Sequence, residues 1–409
     1  MNAIAALPIV NPSGERHFAA RQRRIPQLDG LRGIAVLLVV LYHFVPSLGL
    51  AGIGFQRSFH FGWCGVDLFF VLSGFLIGGI LLDAKESPSY FRTFYFRRFY
   101  RIFPLYYIWI FLYAVLAAGA FSHLPASIAI AWPGARPVIV YGLFLQNVVH
   151  KDLSGIAAAW LGPLWSLSVE EQFYLIMPLA VRFLPKRRLV QLLMASIVLA
   201  PVGRALAYAW IHSSAAWYVS TPLRADALAM GVLLATALRD ERWKARLTRS
   251  RLPIYGMIAV LGCGVFCLAV WSPATEMRAR AMWGFSCLDA FFAVIMLLAL
   301  MRPRGWWSSF CQLGLLRNAG GLSYCVYIIH FAVLEICGGI IIFRFHEWPL
   351  PAHIGGVLMA SLVTWAIAKT SWRYLESPMI RRGHAYGYGT RGDRSSEDEA
   401  SPSNYVKVS

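Results

Sequence analysis

The chain has 409 residues, 58% hydrophobic and 14% charged, with a formal net charge of +18. Its mean hydropathy of +0.56 is more than a soluble fold of this size needs to fill a core, and fits a polytopic helical membrane protein. The basic residues cluster between apolar runs, which points to orientation in a bilayer and away from a nucleic-acid partner.

Apolar segments long enough to span, or nearly so, lie at 28–48, 63–82, 102–120, 164–183, 187–212, 224–238, 252–271, 283–301, 319–343 and 352–374. They predict an all-α protein of about ten transmembrane helices. The run 137–149 (PVIVYGLFLQNVV) is too short to cross and reads as re-entrant or surface-lying. With the N-terminus inside, 30 of the 38 Lys and Arg fall on the inner side, so both termini are expected in the cytoplasm. A full span at 137–149 would move the basic turn 185–188 (PKRR) outside. The expected organisation is a basic cytoplasmic segment 1–27, a membrane domain 28–380 and a disordered cytoplasmic tail 381–409. That tail is Gly-, Ser- and acid-rich. The seven cysteines lie mostly in or beside apolar runs without metal-ligand spacing and read as small packing residues.

Within the first span, Arg32 and His43 lie eleven residues apart, close to three helical turns. Both therefore project from one face, about 16 Å apart along the axis. An arginine at one interface places the histidine near or beyond mid-depth of a ~30 Å hydrocarbon layer, where ionisable groups are costly and usually functional. Packing glue between helices is the competing reading. In 65–82 (GVDLFFVLSGFLIGGILL), Ser73 and Gly74 suit either close helix contact or a narrow passage for a slender ligand. The segment 90–104 (YFRTFYFRRFYRIFP) is expected as an interfacial helix that presents Arg97, Arg98 and Arg101 together. It serves either headgroups and topology or a phosphate cradle, and coenzyme A on the cytoplasmic side fits the cradle.

The run 165–174 (WSLSVEEQFY) opens a helix from the outer side with Trp165 and places Glu170 and Glu171 in one turn. Glu170 suits a carboxylate that orients a histidine base, or a salt bridge to an arginine such as Arg224. Arg224 and Asp226, two apart, point to different sides of their helix and serve different neighbours. Tyr324, Tyr327 and His330 form a polar-tipped stripe that lines a tunnel or bonds between helices. Glu376 is read as architectural. The chain contains no P-loop, dinucleotide fingerprint, HExxH or GxSxG elbow, and nothing in it argues for a metal or redox cofactor.

These motifs in order resemble the acyltransferase-3 family of bacterial membrane acyltransferases. The series is Arg32-x10-His43, GVDLFFVLSGFL from Gly65, RRFYRIFP from Arg97, WSLSVEEQFY from Trp165, RADALAMG from Arg224, GLSYCVYIIH from Gly321 and ESP from Glu376. It covers about 28–380. The resemblance implies an acyl-CoA co-substrate in the cytoplasm, usually acetyl-CoA, and a hydroxyl acceptor on a sugar or other glycan. The chain is expected in the inner or plasma membrane, as a member without the C-terminal hydrolase-like domain that some relatives carry. Arg32 and His43 match the family's essential pair; Arg97, Arg98, Arg101, Ser73, Glu170 and Tyr324 match its other characteristic positions. The expectation is that the arginines hold the phosphates, the pantetheine arm passes Ser73 and Gly74, and His43, assisted by Glu170, acts as base or acyl carrier. Trp165, Arg224, Asp226, Tyr324 and His330 are expected to line the substrate path. Two rivals remain at this stage: acylation of a small secondary metabolite, and a transporter or flippase that makes no bond.

Overall fold

The computed structural model describes residues 25–48, 60–116, 136–149, 155–210, 218–249, 252–270, 279–344 and 349–388, and contains no strand among them. Proline marks many helix boundaries, since its missing N–H is tolerated in the first turn and breaks a helix later. Helix α1 (Pro26–Phe44) begins on Pro26 and ends before Pro46; α2 (Gly65–Asp83) follows. Helix α3 (Tyr90–Val115) runs 26 residues through Pro104. The short α4 (Arg136–Gly142) and α5 (Gly155–Leu161) lead to α6 (Trp165–Phe183), which stops before Pro185. Then come α7 (Lys186–Trp210), α8 (Thr221–Leu238), the strongly amphipathic α9 (Glu241–Arg249), α10 (Leu252–Val270) and α11 (Phe285–Met301). Helices α12 (Trp306–Cys311), α13 (Gly314–Arg344), α14 (Pro349–Ser371) and α15 (Ser377–His384) complete the described chain.

Each of the ten expected spans overlaps a helix among the described residues, the expected 102–120 falling on the second half of α3. Among the described residues, eight helices are long and apolar enough to cross a membrane by length and composition, so the chain is a multi-pass membrane protein. Helices α3 and α6, which carry the arginine and glutamate motifs, fall outside that set. One expectation is corrected here. The segment 90–101 is not a separate interfacial helix but the first half of α3, so its arginines enter the bundle. A second correction concerns the C-terminus: the described chain continues, packed on α3, to Tyr388 instead of ending near 380. Residues 1–24 of the expected segment 1–27 and residues 389–409 of the expected tail 381–409 lie outside the described residues.

Hydrogen bonds between turns establish the alternation of helix directions. At one end, Gln27 meets Ser308, Asp83 meets Arg239, and Lys85 meets the Leu184 carbonyl. Lys186 Nζ lies 2.5 Å from Asp240 there and holds that carboxyl below the usual carboxylate range. At the other end, Gln146 reaches the Leu164 carbonyl and Asn147 joins Gln172 and Thr221. The 137–149 segment thus does not cross: its seven-residue helix is followed by a turn in which Phe144 has φ 54°. A bulky residue is disfavoured there. The Phe144 ring stacks on Tyr106 at 4.3 Å and its carbonyl accepts Gln172 Nε2 at 2.8 Å, which offsets that cost.

Inside the bundle, α1 packs on α2 and α13, and α2 packs on α8. A Cβ on Gly74 would run into the Leu228 carbonyl of α8, so Gly74 is spent on close helix approach. There are two apolar cores, one around α1, α2, α8 and α11 and the other around α3, α5 and α13. They meet along a seam where Val40, Phe103, Tyr324 and Val326 pack against both.

Candidate active site

The seam carries the polar groups. Arg32 and His43 are both partly exposed within α1. The His43 ring touches His330 of α13, with centroids 5.0 Å apart, and Phe331 at 4.5 Å. Its Nδ1 lies 2.9 Å from the Val39 carbonyl and 3.2 Å from His330 Nε2. His330 is fully buried, with Nδ1 2.8 Å from the Tyr327 carbonyl and 3.1 Å from that of Val326.

Carbonyl oxygens only accept, so they fix both tautomers. His330 must carry its proton on Nδ1, which leaves Nε2 as an acceptor. His43 must also carry its proton on Nδ1, to meet Val39 and His330. Among the described residues nothing bonds His43 Nε2, whose lone pair is then the basic site.

Glu170 is not part of this pair. Its neighbours are Ser73, Arg32, Arg98 and Tyr174, with the Tyr174 hydroxyl 3.4 Å from Oε2 and 2.6 Å from Ser73 Oγ. The expected carboxylate–histidine pair is replaced by a histidine–histidine pair. A buried carboxylate gains more from guanidinium groups than from a neutral imidazole.

Glu170 therefore belongs to a second group about three turns along α1 from His43. Arg32 has Glu170, Asp29 and Arg98 as charged neighbours, and Arg101 has Arg32, Arg98 and Glu170. Glu171 faces Glu170 and Arg98. Arg97, Arg98 and Arg101 line a cleft with Ile80, Phe94, Ile380, His384 and Tyr388. Arg32, Arg98 and Arg101 thus share Glu170 as a neighbour, while the guanidinium groups of Arg97, Arg98 and Arg101 that line the cleft suit a multiply charged anion. Arg97 is partly committed, since its Nε donates to the Tyr386 carbonyl at 2.9 Å. Glu376, buried near Arg101, accepts from Ser371 Oγ at 2.9 Å.

Other expected site residues serve packing. The Tyr324 hydroxyl donates to the Ile102 carbonyl at 2.6 Å, tying α13 to α3. Tyr327 OH donates to the Pro163 carbonyl at 3.0 Å. Trp165 sits between Phe70 and Tyr218. Arg224 pairs with Asp67 at 2.5 Å, not with Glu170, and its guanidinium lies 3.8 Å over the Phe285 ring. Asp226 pairs with Arg204 at 2.7 Å and accepts from Ser286. Arg224 and Asp226 do serve different neighbours, as their spacing predicts. Asp289 completes this buried group beside Asp226 and Asp67.

Asp67, Arg204 and Asp289 are absent from the sequence reading, yet each is a single charge within an apolar run, the same signal that marks His43. Arg224→Ala would leave Asp67 buried and unpaired, at an expected cost of about 3–5 kcal/mol. Thermal melting in detergent measures it; an unchanged midpoint would refute the pairing.

A family model described as an acyltransferase domain matches residues 25–369. The chain belongs to this acyltransferase-3 family. Peptidoglycan O-acetyltransferase OatA of Listeria monocytogenes is 28% identical over 88% of this chain and 57% of its own length. O-acetyltransferase OatA of Staphylococcus aureus is 26% identical over 88% of this chain and 58% of its own. A putative peptidoglycan O-acetyltransferase, YrhL of Bacillus subtilis, is 28% identical over 90% of this chain and 56% of its own. The chain thus spans little more than half the length of these curated relatives. No solved structure matches it.

Proposed function

We propose that this membrane acyltransferase moves an acetyl group from cytoplasmic acetyl-CoA to a hydroxyl of a cell-envelope glycan, with peptidoglycan as the acceptor class that the relatives' names suggest. One observation carries the reading: His43, held through Nδ1 beside Val39 and His330, shares its helix with Arg32, which neighbours Arg98 and Arg101 of the arginine-lined cleft. Membership of an acyltransferase family favours bond formation over transport. The distribution of Lys and Arg supports a cytoplasmic arginine end and both termini inside.

In this proposal the arginines hold the donor phosphates and the pantetheine arm rises past Arg32 and Ser73 toward His43. His43 Nε2 takes the proton of the acceptor hydroxyl as its oxygen attacks the thioester carbonyl. The C–S bond breaks, and the thiolate of coenzyme A recovers the proton from Nε2. The same free Nε2 could instead carry the acyl group between two half-reactions. Ping-pong kinetics would mark the carrier, and sequential kinetics direct transfer.

The deciding experiment supplies radiolabelled acetyl-CoA to membranes that contain the protein, with envelope glycan as acceptor. Base-labile label in the glycan is expected; none in any envelope fraction sinks the proposal. A finer test addresses the second histidine. His330→Ala should lower kcat by about 10–100-fold, as losses of orienting partners do. His330→Gln, whose carbonyl can accept from His43 Nδ1, should recover part of the loss and shift the pH profile. Equal loss in both would make His330 a packing residue.

A further inference from the structure

The arginine cleft has a wall that phosphate binding does not require. Beyond α15, residues 385–388 lie back across the first turns of α3. Gly387 accepts from Thr93 Oγ1 at 2.7 Å and from Ser89 Oγ at 3.0 Å, while Arg97 Nε holds the Tyr386 carbonyl. The Tyr386 ring is stacked on Phe96 at 4.5 Å. Tyr388 differs. It lines the cleft with Arg97 and Arg98, and the Arg97 guanidinium covers it at 5.0 Å. No aromatic ring among the described residues stacks on it, and its buried hydroxyl has no hydrogen-bond partner among them. This wall lies beyond residue 369, where the family match ends.

The order of groups along the cleft adds direction. From His43 the path meets Arg32, then Arg101 and Arg98, then Arg97 and Tyr388. Arg97 lies one helical turn, about 6 Å, from Arg101 on the side away from His43. Acyl-CoA has a matching order, from thioester through pantetheine and diphosphate to the 3′-phosphoadenosine. With the thioester at His43 and phosphates at Arg98 and Arg101, the purine falls at Tyr388. An aromatic ring backed by a guanidinium is a stacking platform for a base.

Building on the acyl-CoA reading above, we propose that residues 377–388 form the base-reading wall of the donor site, with the Tyr388 ring stacking on the purine of coenzyme A. The wall makes the protein discriminate coenzyme A from donors that lack the nucleotide.

The test measures transfer by the full chain in nanodiscs from two donors, acetyl-CoA and S-acetyl-4′-phosphopantetheine, which lacks adenosine 3′,5′-bisphosphate. The parent protein should prefer acetyl-CoA. Tyr388→Ala should reduce that preference, as the ratio of kcat/KM values, about tenfold. Tyr388→Phe keeps the ring and should keep the preference. Because each variant is compared with itself on two donors, partial misfolding cancels from the ratio. An unchanged ratio in Tyr388→Ala overturns the inference while the donor reading stands. An equal loss in the Phe variant overturns stacking. Equal use of both donors by the parent shows that nothing reads the nucleotide, and also overturns the inference. A parent that uses neither donor overturns the donor reading, and the inference with it.

Discussion

His43→Ala is expected to lower acyl transfer at least about a thousandfold, toward the upper range for loss of a positioned base. The variant removes the imidazole whose Nδ1 is tied to Val39 and His330 and whose Nε2 is left for chemistry. The fold should survive, because His43 is only partly buried and its removal leaves a single neutral acceptor, His330 Nε2, without its partner. A loss of that kind costs about 1–3 kcal/mol. Initial rates with acetyl-CoA, taken on protein shown by melting to be folded, decide the matter. A rate near that of the parent would remove His43 from the chemistry.

The second large effect is expected on donor affinity. Arg98→Ala combined with Arg101→Ala should raise KM for acetyl-CoA by roughly a hundredfold or more. Each lost charge-assisted hydrogen bond is worth about 1.5–3 kcal/mol, or roughly ten- to a hundredfold. The same attraction predicts that KM in the parent rises with ionic strength. Substituting lysine at both positions should restore part of the affinity, since it keeps the charge and loses the bidentate fork. Glu170 and Glu171 lose neighbours of opposite charge in the double variant, so folded protein must be quantified beside the kinetics. An unchanged KM in folded protein would place the donor elsewhere.

The sequence made the bundle legible because hydrocarbon imposes length and composition on every span. Each of the ten apolar runs overlaps a helix, and prolines 26, 46 and 185 mark ends where they stand in the chain. The spacing of Arg32 and His43 correctly placed both on one helix, and the arginines do share a cleft. Partnership was less legible. An apolar run that carries one charge announces a cost without naming the helix that meets it. His330 is 287 residues from His43 and Asp67 is 157 from Arg224, distances over which periodicity says nothing. Glu170 was matched to His43 by depth, whereas charge matched it to Arg32 and Arg98. The C-terminal boundary was misread for a different reason. Composition there is poor in aliphatic residues, but Tyr386 and Tyr388 anchor the chain to α3 through ring and guanidinium contacts that composition does not register.

The buried group of Asp67, Arg204, Arg224, Asp226 and Asp289 also bears on how the chain is made. A lone charge costs roughly 2.5–3.5 kcal/mol on the insertion scale at the centre of a span and less toward its ends, where these residues stand. Helices α2, α7 and α8 each bring at least one such charge, and its ion-pair partner belongs to a different helix. None of the three can settle alone in lipid without a cost of this kind. Nascent α7 is therefore expected to wait beside the insertion machinery until α8 supplies Asp226, and α8 to seek the earlier α2 through Arg224. In this way the ion pairs set an order of assembly, and a truncation between α7 and α8 would strand Arg204 in lipid.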